Sequence, residues 1–509
     1  VAALVLPAAA PARDFVVRSF DGTPIAGHFF PAATLGRDGR APTVLVGPGF
    51  GGGGDNNPES TSDLVARVGL QPLRHSGYNV LTWDPRGFGA SGDEVRFDSP
   101  DYEARDVQTL IDFVARQPEA QLDGPNDPRV GMAGASYGGG IQLVSAAIDP
   151  RIDAITPTLA WNNFVRSIYP DNTVRAAWLA LICINGGVPG LLDGLVTSTG
   201  THVGSLDPHI WEACGEGLTT GFFSKDVVDW FNARGPGYEY VSRIRAPTLL
   251  LQGTIDTLIP LDEAVANYAI LHADGVPTKM MWFCGGHGLC LTSPGPKAYA
   301  ERAILRWFAR YLKRDTSVDT GAPFEWIDQA GAWHSASGYP LARVGELAAA
   351  DDGTLDITPA DSVTSGTPNA ASPAVNAATV ELPTPTGPGD VVGDPRLDLT
   401  YSGVGSLPNV TVFAQVADAV RGIVVGNQVT PIPLVLDGKQ HTASYSLAAI
   451  AQHVTPGSRY ELQITPGTLV FAPQKHVGSV RFQRIAISLP LVGDRHATRG
   501  ARLRAFARR

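Results

Sequence analysis

Arg129-Val130-Gly131-Met132-Ala133-Gly134-Ala135-Ser136-Tyr137-Gly138-Gly139-Gly140-Ile141-Gln142-Leu143-Val144 carries the clearest structural signal in the chain. An apolar run ends in Gly134, a serine stands between small residues, and Ile141 to Val144 opens an apolar helix. A G-x-S-x-G sequence in that setting predicts a strand turning sharply into a helix, with the Ser136 hydroxyl held exposed at the tip. A Cβ at either flanking glycine would collide with the neighbouring backbone. Five residues with three fixed arise easily by chance, so the strand before and the helix after carry the weight.

A serine so placed needs a base, and the base needs an acid to orient it, in chain order serine, acid, histidine. Thr248 to Gly253 reads as a strand running into a loop with Asp256 just past its end. Met280 to Phe283 reads as the next strand, ending in Cys284-Gly285-Gly286-His287-Gly288. The spacing of 31 residues from Asp256 to His287 leaves room for one helix and one strand. Adjacent strands of a parallel sheet require that much, and ligand sites lie at the carboxyl ends of such strands.

Charge developing on a tetrahedral intermediate must meet fixed N–H donors. Tyr137, directly after the serine, offers one. The loop Gly47-Pro48-Gly49-Phe50-Gly51-Gly52 offers the other, with the Phe50 N–H as the expected donor and Gly51 its neighbour. No Gly-Lys-Ser/Thr follows, so a phosphate loop does not fit. The turn Asp84-Pro85-Arg86-Gly87 after the strand Asn79 to Trp83 reads as a turn stiffened by an Asp/Arg pair rather than as a pocket edge.

Strand and helix patterns alternate around these motifs. Asp21-Gly22 between Phe15–Arg18 and Ile25–Phe30 signals a hairpin. Thr43 to Val46 is a short apolar strand, and Val107, Leu110, Ile111 and Val114 share one helix face. This rhythm predicts an α/β unit over 13–156 and 246–318 with helices on both faces of the sheet. The intervening 157–245 holds four of the nine tryptophans, Trp161, Trp178, Trp211 and Trp230. It reads as a helical cap, with Trp161 and Trp178 as candidate pocket residues. From 319 to 493 short strands with Gly, Pro, Ser and Thr between them predict a β-sandwich or jelly roll.

Composition bounds the rest. The 509 residues suffice for two or three domains, only 17% are charged, and the net charge of −10 argues against general affinity for nucleic acid. Residues 1–12 resemble the end of a secretory signal, and 494–509 form an arginine-rich tail. No apolar run reaches the ~20 residues of a membrane span, so a soluble, secreted form is expected. Four cysteines allow three pairings. The local pairs Cys183–Cys214 and Cys284–Cys290 are the economical expectation, with reduced thiols the alternative. No metal-ligand spacing such as H-E-x-x-H is present, and no metal or other cofactor is expected.

The motifs Gly134-Ala135-Ser136-Tyr137-Gly138, Asp84-Pro85-Arg86-Gly87, Ala246-Pro247-Thr248-Leu249-Leu250 with Gly253 to Asp256, and Gly285-Gly286-His287 resemble the acyl esterase and X-prolyl dipeptidyl peptidase family, which includes cocaine esterase and the α-amino acid ester hydrolases. That resemblance implies an α/β-hydrolase domain with an inserted helical cap and a C-terminal all-β jelly roll of the galactose-binding-like kind. It implies Ser136, Asp256 and His287 as the catalytic triad. Those esterases place a tyrosine hydroxyl in the oxyanion hole where this chain has Phe50, so two backbone donors must suffice here.

The expected activity is hydrolysis of carboxylic esters or amides of a small molecule or peptide through an acyl-Ser136 intermediate. X-Pro dipeptidyl peptidase action is the alternative. It would require a carboxylate to hold the substrate amine, for which Asp171, Glu212 and Asp226 are the candidates in the cap. Acyl transfer shares every catalytic residue, and a non-catalytic envelope- or carbohydrate-binding protein is the remaining alternative.

Overall fold

The computed structural model describes residues 11–62, 67–187, 206–360 and 370–493. Residues 1–10 of the signal-like segment and the whole arginine-rich tail lie outside these ranges.

Ten strands form the first sheet: β1 (Arg13–Arg18), β2 (Pro24–Phe30), β3 (Thr43–Gly47), β4 (Asn79–Trp83), β5 (Val130–Ala135), β6 (Ile152–Thr158), β7 (Thr248–Gly253), β8 (Thr278–Phe283), β9 (Phe324–Ile327) and β10 (Trp333–Ala336). Their order is β1-β2-β4-β3-β5-β6-β7-β8-β9-β10. From β4 to β9 all neighbours run parallel, while β1, β2 and β10 are antiparallel to theirs. Strands β4, β5 and β7 are buried along their entire length. Apolar side chains with no polar alternation are what a sheet covered on both faces demands.

Helix α1 (Leu70–His75) precedes β4, and α2 (Glu103–Ala115) precedes β5. The predicted stripe Val107, Leu110, Ile111 and Val114 is fully buried in the core. Helix α3 (Tyr137–Ile148) follows β5 directly. The chain leaves β3 toward β4 on one side and returns to β5 on the other. That reversal opens a crevice at the carboxyl ends of β3 and β5, and both Phe50 and Ser136 belong to the segments leaving those ends.

Between β6 and β7 the described chain is helical: α4 (Phe164–Ile168), α5 (Ala176–Gly187), α6 (Pro208–Thr220), α7 (Lys225–Asn232) and α8 (Gly237–Val241). These helices are held by an aromatic cluster in which Trp161, Phe164, Trp178, Trp230 and Phe231 pack with Phe88, Phe97 and Tyr137 of the sheet domain. A disulfide, Cys183–Cys214, ties α5 to α6. Helices α9 (Leu261–Ala273) and α10 (Tyr299–Tyr311) then cover the far half of the sheet.

A second sheet of nine strands contains β11 (Arg343–Ile357), β12 (Ala378–Glu381), β13 (Gly389–Gly393), β14 (Arg396–Asp418), β15 (Ile423–Val424), β16 (Thr430–Ser446), β17 (Ile450–Val454), β18 (Tyr460–Thr465) and β19 (Gly478–Val492). The long β14 pairs with β19 over its first half and with β18 over its second. This change of neighbour curls the sheet around its own apolar cluster, which includes Leu397, Val412, Ile432, Leu462 and Phe482. Strands β9 and β10 fall in the stretch read from sequence as part of the β region, yet they extend the first sheet instead. Among the described residues no helix is long and apolar enough to cross a membrane.

Candidate active site

Ser136 stands at the junction of β5 and α3 with φ 58° and ψ −117°, a conformation costly for a residue with a side chain and kept where the surroundings enforce it. Its amide donates to Thr158 O of the neighbouring strand at 2.9 Å, and its carbonyl accepts from Gly139 and Gly140 N–H. The glycines are forced by proximity. A Cβ on Gly138 would lie 2.1 Å from Gly47 O, and one on Gly134, at φ +136°, would lie 2.5 Å from the same oxygen.

His287 bridges the other two predicted residues. Its Nε2 lies 2.8 Å from Ser136 Oγ and its Nδ1 lies 2.7 Å from Asp256 Oδ2. Asp256 is fully buried. Its Oδ1 accepts from Leu258 and Ile259 N–H, both at 2.9 Å, and its Oδ2 also accepts from His287 N–H at 3.3 Å. Four donors fix the carboxylate before any substrate arrives. The His287 loop fits against the Asp256 loop because both are glycine-rich: a Cβ on Gly286 would sit 2.7 Å from Asp256 Cβ, and one on Gly253 would sit 2.2 Å from Gly285 O. The second disulfide, Cys284–Cys290, closes a loop around His287. Both expected pairings are present, and no free cysteine is found among the described residues.

The Phe50 ring packs into the aromatic cluster, edge-on to Phe88 and Tyr137 with centroids 5.1 and 5.4 Å apart. Gly51 backs onto Asn185 at the end of α5, where a Cβ would lie 2.6 Å from the Asn185 carbonyl. Among the described residues neither the Phe50 nor the Tyr137 N–H has an acceptor in the protein. The Tyr137 phenol is buried, donates to Glu103 Oε1 at 3.1 Å and accepts from Asp98 N–H at 3.3 Å. Burial and the adjacent Glu103 and Asp98 carboxylates push it well above the usual phenol range.

Of the two tryptophans expected at the pocket, Trp178 stands edge-on to the His287 ring at 5.7 Å. Its Nε1–H donates to Thr257 Oγ1 at 2.9 Å. Trp161 packs instead beneath α3, against Gly140, Phe97 and Phe164. Of the candidate amine-holding carboxylates, Asp171 lines a groove against the second sheet, and Glu212 and Asp226 are exposed on their helices.

The Asp84 turn departs from expectation. Asp84 and Arg86 do not pair with each other. Asp84 accepts from Gly54 and Ala90 N–H, both at 2.7 Å. Arg86, fully buried, makes a two-pronged contact with Asp106 at 2.7 Å and reaches Asp93 and Asp21. A guanidinium held by three carboxylates from separate segments locks the loop from below, while Asp84 ties the glycine loop after β3 to the same turn.

Sequence reading missed the contribution of the second sheet. Gln428 Nε2 donates to Asp256 O at 2.9 Å, and Asn427 Nδ2 donates to Ile255 O at 3.2 Å. No local signal in the sequence marks these two amides.

Comparison with known proteins bears on the same residues. Residues 26–187 match the family model for X-Pro dipeptidyl-peptidase (S15 family), a span that includes Ser136 and stops short of Asp256 and His287. A polyketide transferase, grgF, from Penicillium is 31% identical over 145 residues, 28% of this chain. That match spans 43% of the transferase, so the likeness covers under half of its length. In fold, a CocE/NonD family hydrolase from Staphylococcus aureus superposes with a TM-score of 0.65 at 15% identity, covering 94% of this chain and 93% of its own. An α-amino acid ester hydrolase superposes with a TM-score of 0.63 at 14% identity, covering 94% and 96%. Fold and family model agree: the chain has an α/β-hydrolase fold, and its residues 26–187 are similar to the X-Pro dipeptidyl-peptidase (S15 family).

Proposed function

We propose that the chain is a serine esterase acting through an acyl-Ser136 intermediate. The observation that carries the reading is the continuous contact Ser136 Oγ–His287 Nε2 at 2.8 Å and His287 Nδ1–Asp256 Oδ2 at 2.7 Å. His287 takes the Ser136 proton as Oγ attacks the ester carbonyl, then returns it to the leaving alcohol. Asp256 holds the ring with its proton on Nδ1 and stabilises the imidazolium that forms. The negative oxygen is received by the Phe50 and Tyr137 N–H groups, which no acceptor among the described residues occupies. Water, activated by the same His287, then releases the acid.

The helices over 157–245 act as a cap on this site, and the strands from β11 onward form a separate jelly-roll unit. Two disulfides suit an exported protein, since such bonds persist in oxidising compartments. Ester cleavage is favoured over X-Pro peptide cleavage because Asp171 lines a groove against the second sheet and Glu212 and Asp226 lie exposed on their helices. Acyl transfer is the second reading, favoured by the named activity of the Penicillium relative.

Hydrolysis of short-chain p-nitrophenyl esters and of an Ala-Pro p-nitroanilide, by wild type and Ser136→Ala, tests the proposal. Ester turnover that disappears in the variant is the expected result. Faster anilide release would make the chain a peptidase. Acid release replaced by ester formation with an added alcohol or amine would make it a transferase.

A further inference from the structure

The strongest unassigned chemistry lies where the two sheets meet. Asp328 follows β9, His334 is on β10, and His453 is on β17 of the second sheet. One ligand atom from each lies within 4.8 Å of the others. We propose that Asp328, His334 and His453 bind a first-row divalent cation, zinc by preference, that clips the second sheet to the edge of the first.

Donor type selects the ion. Two imidazoles and one carboxylate match zinc, cobalt or nickel, whereas calcium and magnesium take oxygen ligands. Zinc bonds to these atoms are about 2.0–2.2 Å. His334 Nε2 and Asp328 Oδ2 are already 2.8 Å apart, so small side-chain rotations admit the ion between them.

The surroundings hold the donors in place. Asp390 Oδ1 lies 2.8 Å from His453 Nδ1, and its Oδ2 lies 3.8 Å from His334 Nδ1. Asp390 thus holds His453 through its Nδ1, which leaves Nε2 of that ring for the metal, while His334 Nε2 already faces Asp328. Asp328 Oδ1 accepts from Ala330 N–H at 2.8 Å and Ala332 N–H at 3.0 Å. Gln329 grips the backbone of His453 from both sides: its Nε2 donates to His453 O at 2.6 Å and its Oε1 accepts from His453 N–H at 2.8 Å. Trp326 stacks on the His334 ring at 5.3 Å. Asp328 and Asp390 bring two negative charges to a largely buried place, which a dication balances. The two histidines remain 23% and 30% exposed, leaving a side open for ion entry and for water as the remaining ligand.

Sequence patterns do not show this site, because its ligands come from two sheets far apart in the chain. The test uses the full chain stripped with chelator and titrated with Zn²⁺ by calorimetry, with Co²⁺ as a visible-absorption probe. One equivalent of Zn²⁺ should bind, raise Tm, and be reversed by chelator. His334→Gln and His453→Gln should abolish uptake, and Asp390→Asn should weaken it by about 10–100-fold. His441→Gln, whose ring pairs with Asp437 and packs on Tyr401 away from this cluster, should leave it intact. X-ray absorption of the zinc-loaded wild type reads the ligands without relying on a variant's folding, and two imidazoles are expected. No saturable uptake by wild type, uptake that survives both histidine substitutions, or absorption showing fewer than two imidazoles would overturn the proposal.

Discussion

Gln428, on the loop before β16, donates its side-chain amide to the backbone carbonyl of Asp256 at 2.9 Å. The second sheet therefore grips the acid loop of the proposed triad. Leu258 and Ile259 N–H groups set the carboxylate from one side, and Gln428 fixes the carbonyl from the other. Gln428→Ala leaves a buried acceptor without its donor, at a cost of about 1–3 kcal/mol, and lets the Asp256 loop shift. A fall in kcat of about 10-fold with little change in KM is expected, since the residue touches the acid and not the substrate. Steady-state kinetics with a p-nitrophenyl ester checks it, and unchanged kcat would show that the acid loop holds itself.

Ser136→Ala removes the proposed nucleophile and leaves its surroundings in place. The expected loss in kcat is about 10⁶-fold, with a residue of about 10³-fold over water from the N–H donors and substrate binding. Thermal melting should be little changed, because the Ser136 backbone contacts to Thr158, Gly139 and Gly140 survive. Pre-steady-state burst measurements on wild type should show acyl-enzyme accumulation.

The Cys284–Cys290 bond confines His287 within a closed loop. Cys290→Ser opens that loop and widens the range the imidazole can explore. Chain-entropy arguments put the stability loss at about 2 kcal/mol. Activity should fall further than stability accounts for, because a shift of about 1 Å in the base costs up to about 10²-fold. Mild reductant on wild type should reproduce the activity loss while the far-ultraviolet circular dichroism holds. Full activity after reduction would mean that Gly285 and Gly286, packed against Asp256, position the histidine unaided.

Glu103 gives a pH signature. Burial, with the neighbouring Asp106 adding to it, pushes its carboxyl up to about 7, against hydrogen bonding from Arg96 N–H and the charge of Arg86. The folded state therefore holds a proton that the unfolded chain has released between pH ~4.5 and ~7. Stability contributed by Glu103 is greatest below pH ~4.5, declines across that window and is fully lost above ~7, by about 3 kcal/mol. Glu103→Gln should flatten this decline in urea melts taken at pH 5 and pH 8. An equal slope in the variant would assign the dependence to other buried acids.

Local sequence determined the elements around the serine and the order of the parts. The elbow reads clearly because close backbone packing admits only glycine at Gly134 and Gly138. The hairpin at Asp21-Gly22, the buried stripe of α2 and the strand before Asp256 follow from short-range pattern. Each rests on sterics or periodicity that a few neighbouring residues express on their own. Tertiary structure alone decided that Arg86 pairs with Asp106 and not with Asp84, because a buried guanidinium takes whichever carboxylate the fold brings into its plane. It likewise decided that β9 and β10 join the first sheet, that Trp178 and not Trp161 meets His287, and that Gln428 and the His334–His453 cluster bridge the two sheets. Such contacts join residues far apart in the chain. Their energy comes from the burial and geometry of the assembled fold, which leave no periodic trace in either segment.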